Sequence, residues 1–228
     1  MLLQGWVSLI PVVLALSAII LTLSFEITRK PRLKLVEGRW HDDPSGFRFA
    51  RIRVINQPLP RLLAKAFSRQ VAAQCYVQLS FSDTGNKQEL FENQPILAKW
   101  TRSREPLATH LVQDDSGKWT QVEFFDQKLI SEGLRLDLVA DAGGEEIDVA
   151  VKHEGESDCW AFSGLSYHPK FAEEGTAVHG WRNPEWRIPQ GEWLVEAVVR
   201  SGQVESRQNF ILYNHGAAKR GLYLRRRR

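Results

Sequence analysis

The residues best suited to binding chemistry lie in one aromatic segment near the end of the chain. Its sequence, HGWRNPEWRIPQGEW, covers residues 179–193 and places three tryptophans among two arginines. Tryptophan and arginine are enriched at the energetic centres of interfaces, arginine stacks on indole faces, and such mixtures can bind unstacked bases. The segment therefore predicts a ligand- or partner-binding surface formed by Trp181, Arg182, Trp186 and Arg187. Core packing of Trp181 and Trp186 is the alternative, and Trp193 is expected in a core strand.

Histidines and carboxylates give a weaker signal. His168 and His179 flank an acidic loop that contains Glu173 and Glu174. Imidazole and carboxylate groups both bind zinc, but this spacing on an irregular loop is not diagnostic, and surface histidines explain it better. The sequence contains no phosphate-binding loop, nucleophile elbow, paired-histidine zinc motif, C-x-x-C pair or calcium loop. We therefore predict no catalytic residue, no metal site, no cofactor and no enzymatic activity.

Basic residues are concentrated at the two ends of the chain. Residues 35–218 contain 26 acidic and 20 basic side chains, a net charge of −6, although the whole chain is at +3. Basic segments beside a membrane are attracted to anionic lipid by about 1 kcal/mol per residue. The residues predicted to contact the anionic inner leaflet are Arg29, Lys30, Arg32, Lys34, Arg225, Arg226, Arg227 and Arg228.

The C-terminal arginines allow two other interpretations. A run of four arginines can hold nucleic acid phosphates, but the acidic body of the chain makes nucleic acid an unlikely main ligand. The segment 215–228 could also be a solvated tail without a partner, as charged chain ends often are.

An apolar segment precedes the first basic cluster and has the length of a membrane span. Residues 7–25 carry no charged side chain. At about 1.5 Å per residue a helix of this length crosses a hydrocarbon core of roughly 30 Å. The sequence predicts a short N-terminal tail over 1–6, a transmembrane helix over 7–28 and a basic linker over 29–34. A cleaved signal peptide is disfavoured, because no Lys or Arg precedes the span and no small-residue cleavage site follows it.

The flanking charge also predicts an orientation. Lys and Arg residues follow the span but do not precede it, and the side richer in these residues normally stays in the cytoplasm. We expect a single-pass protein with its N-terminus outside and its large domain in the cytoplasm. Two cysteines, Cys75 and Cys159, do not make a disulfide scaffold, which fits this placement.

The elements that must position these residues are predicted to be strands. Alternation of apolar and polar residues recurs after residue 35, for example in GFRFARIRVIN and QCYVQLSFSD. The clearest pair is GEWLVEAVVRSGQVESRQNFILYN, with Ser-Gly-Gln at its turn. Seven or more short strands separated by turns predict an all-β fold, an antiparallel β-sandwich over 35–214 that precedes a basic tail over 215–228.

One segment interrupts the strand pattern. PLPRLLAKAFSRQVAA, residues 58–73, has apolar side chains at helical spacing and predicts a short amphipathic helix or ordered insert. Its apolar face, which includes Leu62, Leu63 and Phe67, is expected to cover one end of the sandwich. The alternative is that the segment touches the membrane surface, with Arg61 and Lys65 on its other face.

The closing segment IPQGEWLVEAVVRSGQVESRQNFILYN resembles the final hairpin of immunoglobulin-like and fibronectin type III-like domains of bacterial and archaeal membrane-anchored proteins. GEEIDVAVK resembles their mid-domain strand. The resemblance covers residues 32–214 and implies an immunoglobulin-like sandwich used for interaction, with no catalytic residue carried over. The chain departs from antibody domains, since Cys75 lacks a cysteine partner in the expected strand.

Three functions are compatible with these features. The first is a membrane-anchored interaction module that binds a protein partner or a like subunit at the cytoplasmic membrane surface. The second is a ligand-gated sensor whose β domain binds a small anionic or nucleotide signal and drives oligomerisation of the transmembrane helices. The third is an exported envelope or adhesion module, which requires the opposite topology.

Overall fold

The computed structural model describes residues 2–65, 67–92, 94–103, 107–113, 115–125, 127–140, 142–163, 184–202 and 204–227. Over this part of the chain the fold is mostly antiparallel β-sheet, and one apolar helix precedes the sheets. The predicted antiparallel β class and the N-terminal helix are thereby confirmed.

The N-terminal helix α1 spans Leu2–Arg29 and includes the predicted residues 7–28. Its part from Pro11 to Arg29 has a mean hydropathy of 2.0 and none of it is buried, so it is long and apolar enough to cross a membrane. Two further helices are short, α2 at Arg61–Ala64 and α3 at Gln127–Gly133. Single 3₁₀ turns occupy Pro184–Trp186 and Lys219–Gly221.

The strands of the described residues carry labels in chain order. They are β1 Leu33–Glu37, β2 His41–Asp42, β3 Phe47–Asn56, β4 Ala72–Asp83, β5 Ile96–Leu97, β6 Leu107–Gln113, β7 Trp119–Phe125, β8 Leu136–Leu138, β9 Glu145–His153, β10 Cys159–Ala161, β11 Arg187–Ile188, β12 Gly191–Ser201, β13 Val204–Asn214 and β14 Leu222–Arg226.

These strands form two large sheets and one separate hairpin. The first sheet has the order β1-β3-β9-β10-β11, with β2 beside β3. The second has the order β14-β13-β12-β4-β5, with β8 beside β4, and β6 pairs only with β7. We refer to the two large sheets together, residues 33–226, as the β domain. Its strands follow the alternation in the sequence, since every second residue of β3 from Ala50 to Asn56 is buried.

The main apolar core lies between the two large sheets, and a smaller cluster forms around Val151 and Phe162. Ile52 and Val54 of the first sheet belong to the same buried cluster as Val77, Leu79 and Phe210 of the second. The hairpin β12–β13 that the sequence predicts is confirmed, with Ser201 paired to Val204 across its turn. Trp193, expected in a core strand, lies in β12 and packs against this cluster while partly exposed.

The β domain has two distinct ends. Helix α1 joins it at the anchor end, where Leu33 pairs with Asn56 and Ala72 pairs with Leu138. The opposite or far end holds the start of β3 and the ends of β4 and β9. Only residues 30–32 separate α1 from β1, so the expected linker over 29–34 is shorter, with Arg29 in the helix and Lys34 in the strand.

Two predicted segments differ from expectation. Residues 215–228 are not a free tail, because β14 pairs with β13 from Asn214 to Phe210 and extends the second sheet beyond residue 214. Its alternation of Leu222 and Leu224 with polar or amphipathic residues suits a strand, but the adjacent arginines concealed that pattern. In the insert over 58–73 the described helical residues are the four of α2, and its other described residues are irregular until β4 begins at Ala72.

Candidate functional site

The predicted aromatic and arginine surface is only partly described by the structure. Trp181 and Arg182 lie outside the described residues. Trp186 ends a 3₁₀ turn and packs, partly buried, against the main core. Arg187 begins β11 with an exposed side chain, and its Nε donates to the Asp158 carboxylate at 2.6 Å. Trp186 therefore contributes to packing, and Arg187 is held by an ion pair across the β10–β11 edge.

A groove beside Trp186 has two carboxylates among its described lining residues. It has a volume of about 360 Å³. The described lining residues are Leu90, Phe91, Glu92, Gln94, Glu185 and Trp186. Carboxylates repel a nucleotide or another anion. The described part of this lining therefore gives no support to the small anionic signal that the sensor hypothesis requires.

The first basic cluster lies where the sequence places it, at the anchor end. Arg29 is the last residue of α1, Lys30 and Arg32 form the short link, and Lys34 is exposed on β1. These four cations therefore surround the point at which the apolar helix meets the β domain. Such an arrangement suits the headgroup region of an anionic membrane.

The C-terminal arginines occupy a different position. Arg225 and Arg226 pair with Ile211 and Phe210, which lie across β12 from Ser82 and Phe81. β14 runs from the far end back towards the anchor end, and Arg226 lies beside Glu37 of β1, four residues after Leu33, or about 13 Å along that strand at 3.3 Å per residue. The backbone N–H of Arg226 donates to the Glu37 carboxylate, while Arg228 lies outside the described residues. Contact of these arginines with lipid stays a prediction.

The junction between α1 and the β domain is closed by direct hydrogen bonds. The Arg69 guanidinium donates to the carbonyl oxygens of Thr28, at 3.1 Å, and Lys30. The Gln70 N–H donates to the Arg29 carbonyl at 2.8 Å. The last carbonyls of a helix have no partner within the helix, so these donors satisfy groups that are otherwise left open. The cationic guanidinium also suits the negative end of the helix dipole.

Ring contacts strengthen the same junction. Phe25 of α1 and Phe67 of the insert meet edge to face, with ring centroids 4.6 Å apart. The Arg29 guanidinium lies 5.1 Å from the Phe25 ring centroid, within the range of a cation–π interaction. The end of α1 is therefore attached to the insert by both polar and aromatic contacts.

A buried asparagine connects the elements around this junction. Asn56 is 1 % exposed; its side-chain oxygen accepts from the Arg32 N–H at 3.1 Å. Its amide donates to the carbonyls of Gln70 at 2.9 Å and Leu138 at 3.1 Å. One side chain thus joins the link after α1, the insert and β8. In the sequence Asn56 only marked the end of a strand, so this role was missed.

The far end has a second buried polar group. Lys152 is fully buried in β9, and its ammonium donates to the side-chain oxygen of Asn214 at 2.6 Å and to the Ser157 carbonyl at 3.2 Å. The Asn214 amide donates in turn to the Ile188 carbonyl at 3.1 Å. Because β9 and β13 belong to different sheets, this network joins the two sheets at the far end.

The separate hairpin β6–β7 presents apolar side chains to solvent. Its stem is fixed at the anchor end, where the Ser103 hydroxyl donates to the Gly133 carbonyl at 3.0 Å and the Thr101 N–H donates to the Glu146 carbonyl at 2.8 Å. Farther out, three large side chains are exposed: Leu111 at 67 %, Val112 at 49 % and Trp119 at 61 %. Sequence analysis did not single out this hairpin, although WTQVEFF has the alternation of a strand.

Metal and thiol chemistry receive no support from the described residues. Among these, no group of three or more His, Cys, Asp or Glu side chains is placed to hold a metal ion. The loop with His168, Glu173, Glu174 and His179 lies outside them. Both cysteines are free and buried, and burial raises the pKa of the Cys75 thiol to about 11 and that of Cys159 further still.

The chain was compared with protein-family models, with curated proteins and with solved structures, and none of these comparisons gives a match. The fold and the surfaces described above are therefore the basis for functional inference.

Proposed function

We propose that this protein is a single-pass membrane-anchored interaction module whose β domain binds a protein partner or a second copy of the chain at the cytoplasmic membrane surface. The main support for this proposal is that two features occur together at the anchor end of the β domain. The capped junction holds the β domain against α1, and the stem of an apolar hairpin leaves from the same end.

The strand order supports an immunoglobulin-like sandwich as the form of this module. The order β1-β3-β9 corresponds to strands A, B and E of such domains, and β13-β12-β4 corresponds to G, F and C. The core between the sheets contains inward side chains of both, as in aligned sandwiches. In this scheme β14 and the β6–β7 hairpin are additions to the common strands.

The hairpin supplies the proposed contact surface. Trp119 pairs with Gln113, and Leu111 lies two residues before Gln113 on the same strand. Trp119 and Leu111 are therefore diagonal neighbours on the same face of the β6–β7 pair. Exposed large apolar groups on a projecting element are typical of interfaces, and tryptophan is enriched among the residues that dominate binding energy. No reacting group is needed for this role, so the proposal assigns no enzymatic activity.

Site-specific photocrosslinking in intact cells tests the proposed surface. A photoreactive amino acid would replace Leu111 or Trp119, and Thr84 at the far end would serve as the matched exposed control. We expect ultraviolet-dependent products from the two hairpin positions and none from Thr84. A product at twice the 26.1 kDa chain mass would identify a second copy, and another discrete mass would identify a different partner. Equal or absent labelling at all three positions would contradict the proposal.

The orientation is tested separately by a fusion after Arg228. A fluorophore active only in the cytoplasm and a phosphatase active only after export would be fused in turn. The four cations at the anchor end favour fluorescence without phosphatase activity. The opposite result would place the β domain outside and would favour an envelope module.

A further inference from the structure

The insert between β3 and β4 keeps its apolar side chains exposed instead of covering the β domain. Leu62 is 84 % exposed, Leu63 39 %, Phe67 42 % and Val71 46 %. The helix α2 buries none of its residues, and among the described residues of this segment only Leu59 is a buried apolar residue. The expectation that the apolar face covers one end of the domain is therefore wrong for α2 and Phe67. Four adjacent exposed apolar groups need another environment.

Two of these side chains, Leu63 and Phe67, face the apolar helix. A groove of about 530 Å³ lies between α1 and the insert. It is lined by Leu21, Thr22, Ser24, Phe25, Thr28, Leu63 and Phe67. Five of these seven residues belong to the helix that is apolar enough to span a membrane. If α1 spans a membrane, the groove therefore opens towards the lipid that surrounds α1.

The geometry of α1 fixes the depth of the insert. A hydrocarbon core of roughly 30 Å accommodates about 20 helical residues, which matches the charge-free residues 7–25 and places Phe25 near the boundary. Glu26 and Arg29 then lie in the headgroup region. Because the Phe67 ring contacts the Phe25 ring, Phe67 reaches a similar depth. Interfacial helices bury their apolar face to a depth of about 5 to 10 Å.

The charges around the insert match an anionic headgroup layer. Arg61 and Lys65 are exposed at either end of α2, and the Arg29 guanidinium lies 5.1 Å from the ring centroid of Phe25, which lines the groove. Apolar groups with a cationic border are the composition of a surface that lies in the headgroup and acyl boundary of anionic phospholipid.

We propose that residues 58–71 form a second membrane contact beside the span, with Leu62, Leu63 and Phe67 in the acyl boundary and a phospholipid acyl chain in the groove. This inference rests on the membrane anchorage in the proposed function but not on the partner-binding hairpin. The insert, the capped junction and α1 then form one membrane-bound unit, and the β domain is held at a fixed distance from the bilayer.

Fluorescent probes in a bilayer of known composition test this contact. The full chain would be placed in nanodiscs of phosphatidylcholine and phosphatidylglycerol, with an environment-sensitive fluorophore attached to Leu62→Cys or Phe67→Cys. Cys75 and Cys159 are buried and do not compete for the label. Thr84→Cys, in an exposed turn at the far end, is the matched control.

The proposal gives a definite pattern of quenching. We expect the probes at 62 and 67 to emit at shorter wavelength, to be quenched by spin-labelled acyl chains and to be several-fold less sensitive to iodide than the probe at 84. Iodide sensitivity equal to that at 84 in nanodisc-bound protein would overturn the second contact alone. Shielding from iodide without acyl-chain quenching would indicate protein over the insert and would also overturn it. Failure of the chain to associate with nanodiscs would overturn the anchorage as well.

Discussion

The two cysteines illustrate how position determines the chemistry of a single residue. Cys75 pairs with Leu136 near the anchor end, whereas Cys159 pairs with Ile188 in the first sheet. The adjacent Trp160 pairs with Val151, two residues from the far-end terminus of β9. The thiols therefore lie towards opposite ends of the β domain and cannot form a disulfide without rearrangement of the backbone. This holds for either membrane topology.

We predict that neither thiol reacts in the folded protein at pH 8. Both side chains are fully buried, and the pKa of Cys75 is raised to about 11, so the reactive thiolate is scarce and inaccessible. Labelling of the full chain with a maleimide, followed by mass spectrometry, is expected to show no adduct until denaturant is added, and then two. Rapid labelling of native protein at either position would contradict the buried placement.

Lys152 gives a prediction about the pH dependence of stability. Burial lowers the pKa of its ammonium from the ordinary 10.5, against the opposing effects of Cys159 and Asp158. The unfolded chain therefore binds this proton more tightly, and the free energy of unfolding rises with pH between the lowered folded pKa and 10.5, by at most about 1.4 kcal/mol per pH unit. Below the folded pKa both the folded and the unfolded chain hold this proton, so this group no longer makes the free energy of unfolding change with pH.

The variant Lys152→Met should lack this rise. We expect its free energy of unfolding to fall progressively behind that of the wild-type chain as pH approaches 10.5, measured by chemical denaturation in nanodiscs. Lys128→Met is the control, because the Lys128 side chain is 81 % exposed on α3. Parallel pH profiles of the wild type and Lys152→Met would show that this ammonium is not held as described.

At the level of elements, two adjacent glycines have different surroundings. Gly143 and Gly144 lie between β8 and β9 with φ of +77° and +84°. A Cβ at Gly143 would meet nothing within 4 Å, but at Gly144 it would lie 2.6 Å from the Val54 carbonyl oxygen. Both alanine variants share the backbone strain, and only Gly144→Ala adds a collision with backbone.

We predict that Gly143→Ala lowers the free energy of unfolding by about 1 kcal/mol and that Gly144→Ala lowers it by clearly more. Thermal denaturation of both variants in parallel measures the difference, which isolates the close approach of this loop to β3. Equal destabilisation of the two variants would mean that β3 can move away from residue 144 at no cost in stability, contrary to the close packing described here.

The sequence predicted the individual strands better than it predicted which strands pair with each other. Strands β3, β4, β12 and β13 follow from alternation, and the β12–β13 turn follows from Ser-Gly-Gln. Ala-Gly-Gly at residues 142–144 has the composition of a hairpin turn, but the strands on either side of it, β8 and β9, lie in different sheets. Local patterns specify a strand and a turn, whereas the choice of partner depends on the whole core.

The same limit explains what was missed in the candidate site. Asn56 and Asn214 both end strands, and a strand-ending asparagine normally indicates a turn. Their roles depend on carbonyl groups contributed by distant segments, such as Leu138 and Ile188. The long apolar helix and the basic cluster after it could be predicted because composition alone identifies them.

For the whole molecule, β14 makes the C-terminal segment part of the folded β domain. Leu222 is fully buried and belongs to the main core, so this strand contributes to the fold as well as to the charge. Burial of a leucine side chain stabilises a fold by about 1.5–3 kcal/mol. Removal of β14 would lose this burial together with the pairing to β13.

We predict that deletion of residues 215–228 lowers the melting temperature of the β domain markedly, whereas the double variant Arg225→Gln and Arg226→Gln leaves it nearly unchanged. Tryptophan fluorescence during heating of the full chain in nanodiscs measures both. If the deletion has no effect on the melting temperature, β14 is dispensable; if both variants behave alike, charge and not packing is its contribution.

The three-residue connection between α1 and β1 has a consequence for encounters in the bilayer. A domain on a flexible tether samples all orientations, and binding must then remove that freedom at a cost of several kcal/mol. Capping of α1 by Arg69 and Gln70 limits that freedom before any partner arrives. In the proposed membrane-anchored form the molecule searches a plane, with rotation about the membrane normal as its main remaining orientational freedom, and every copy presents its hairpin at the same height.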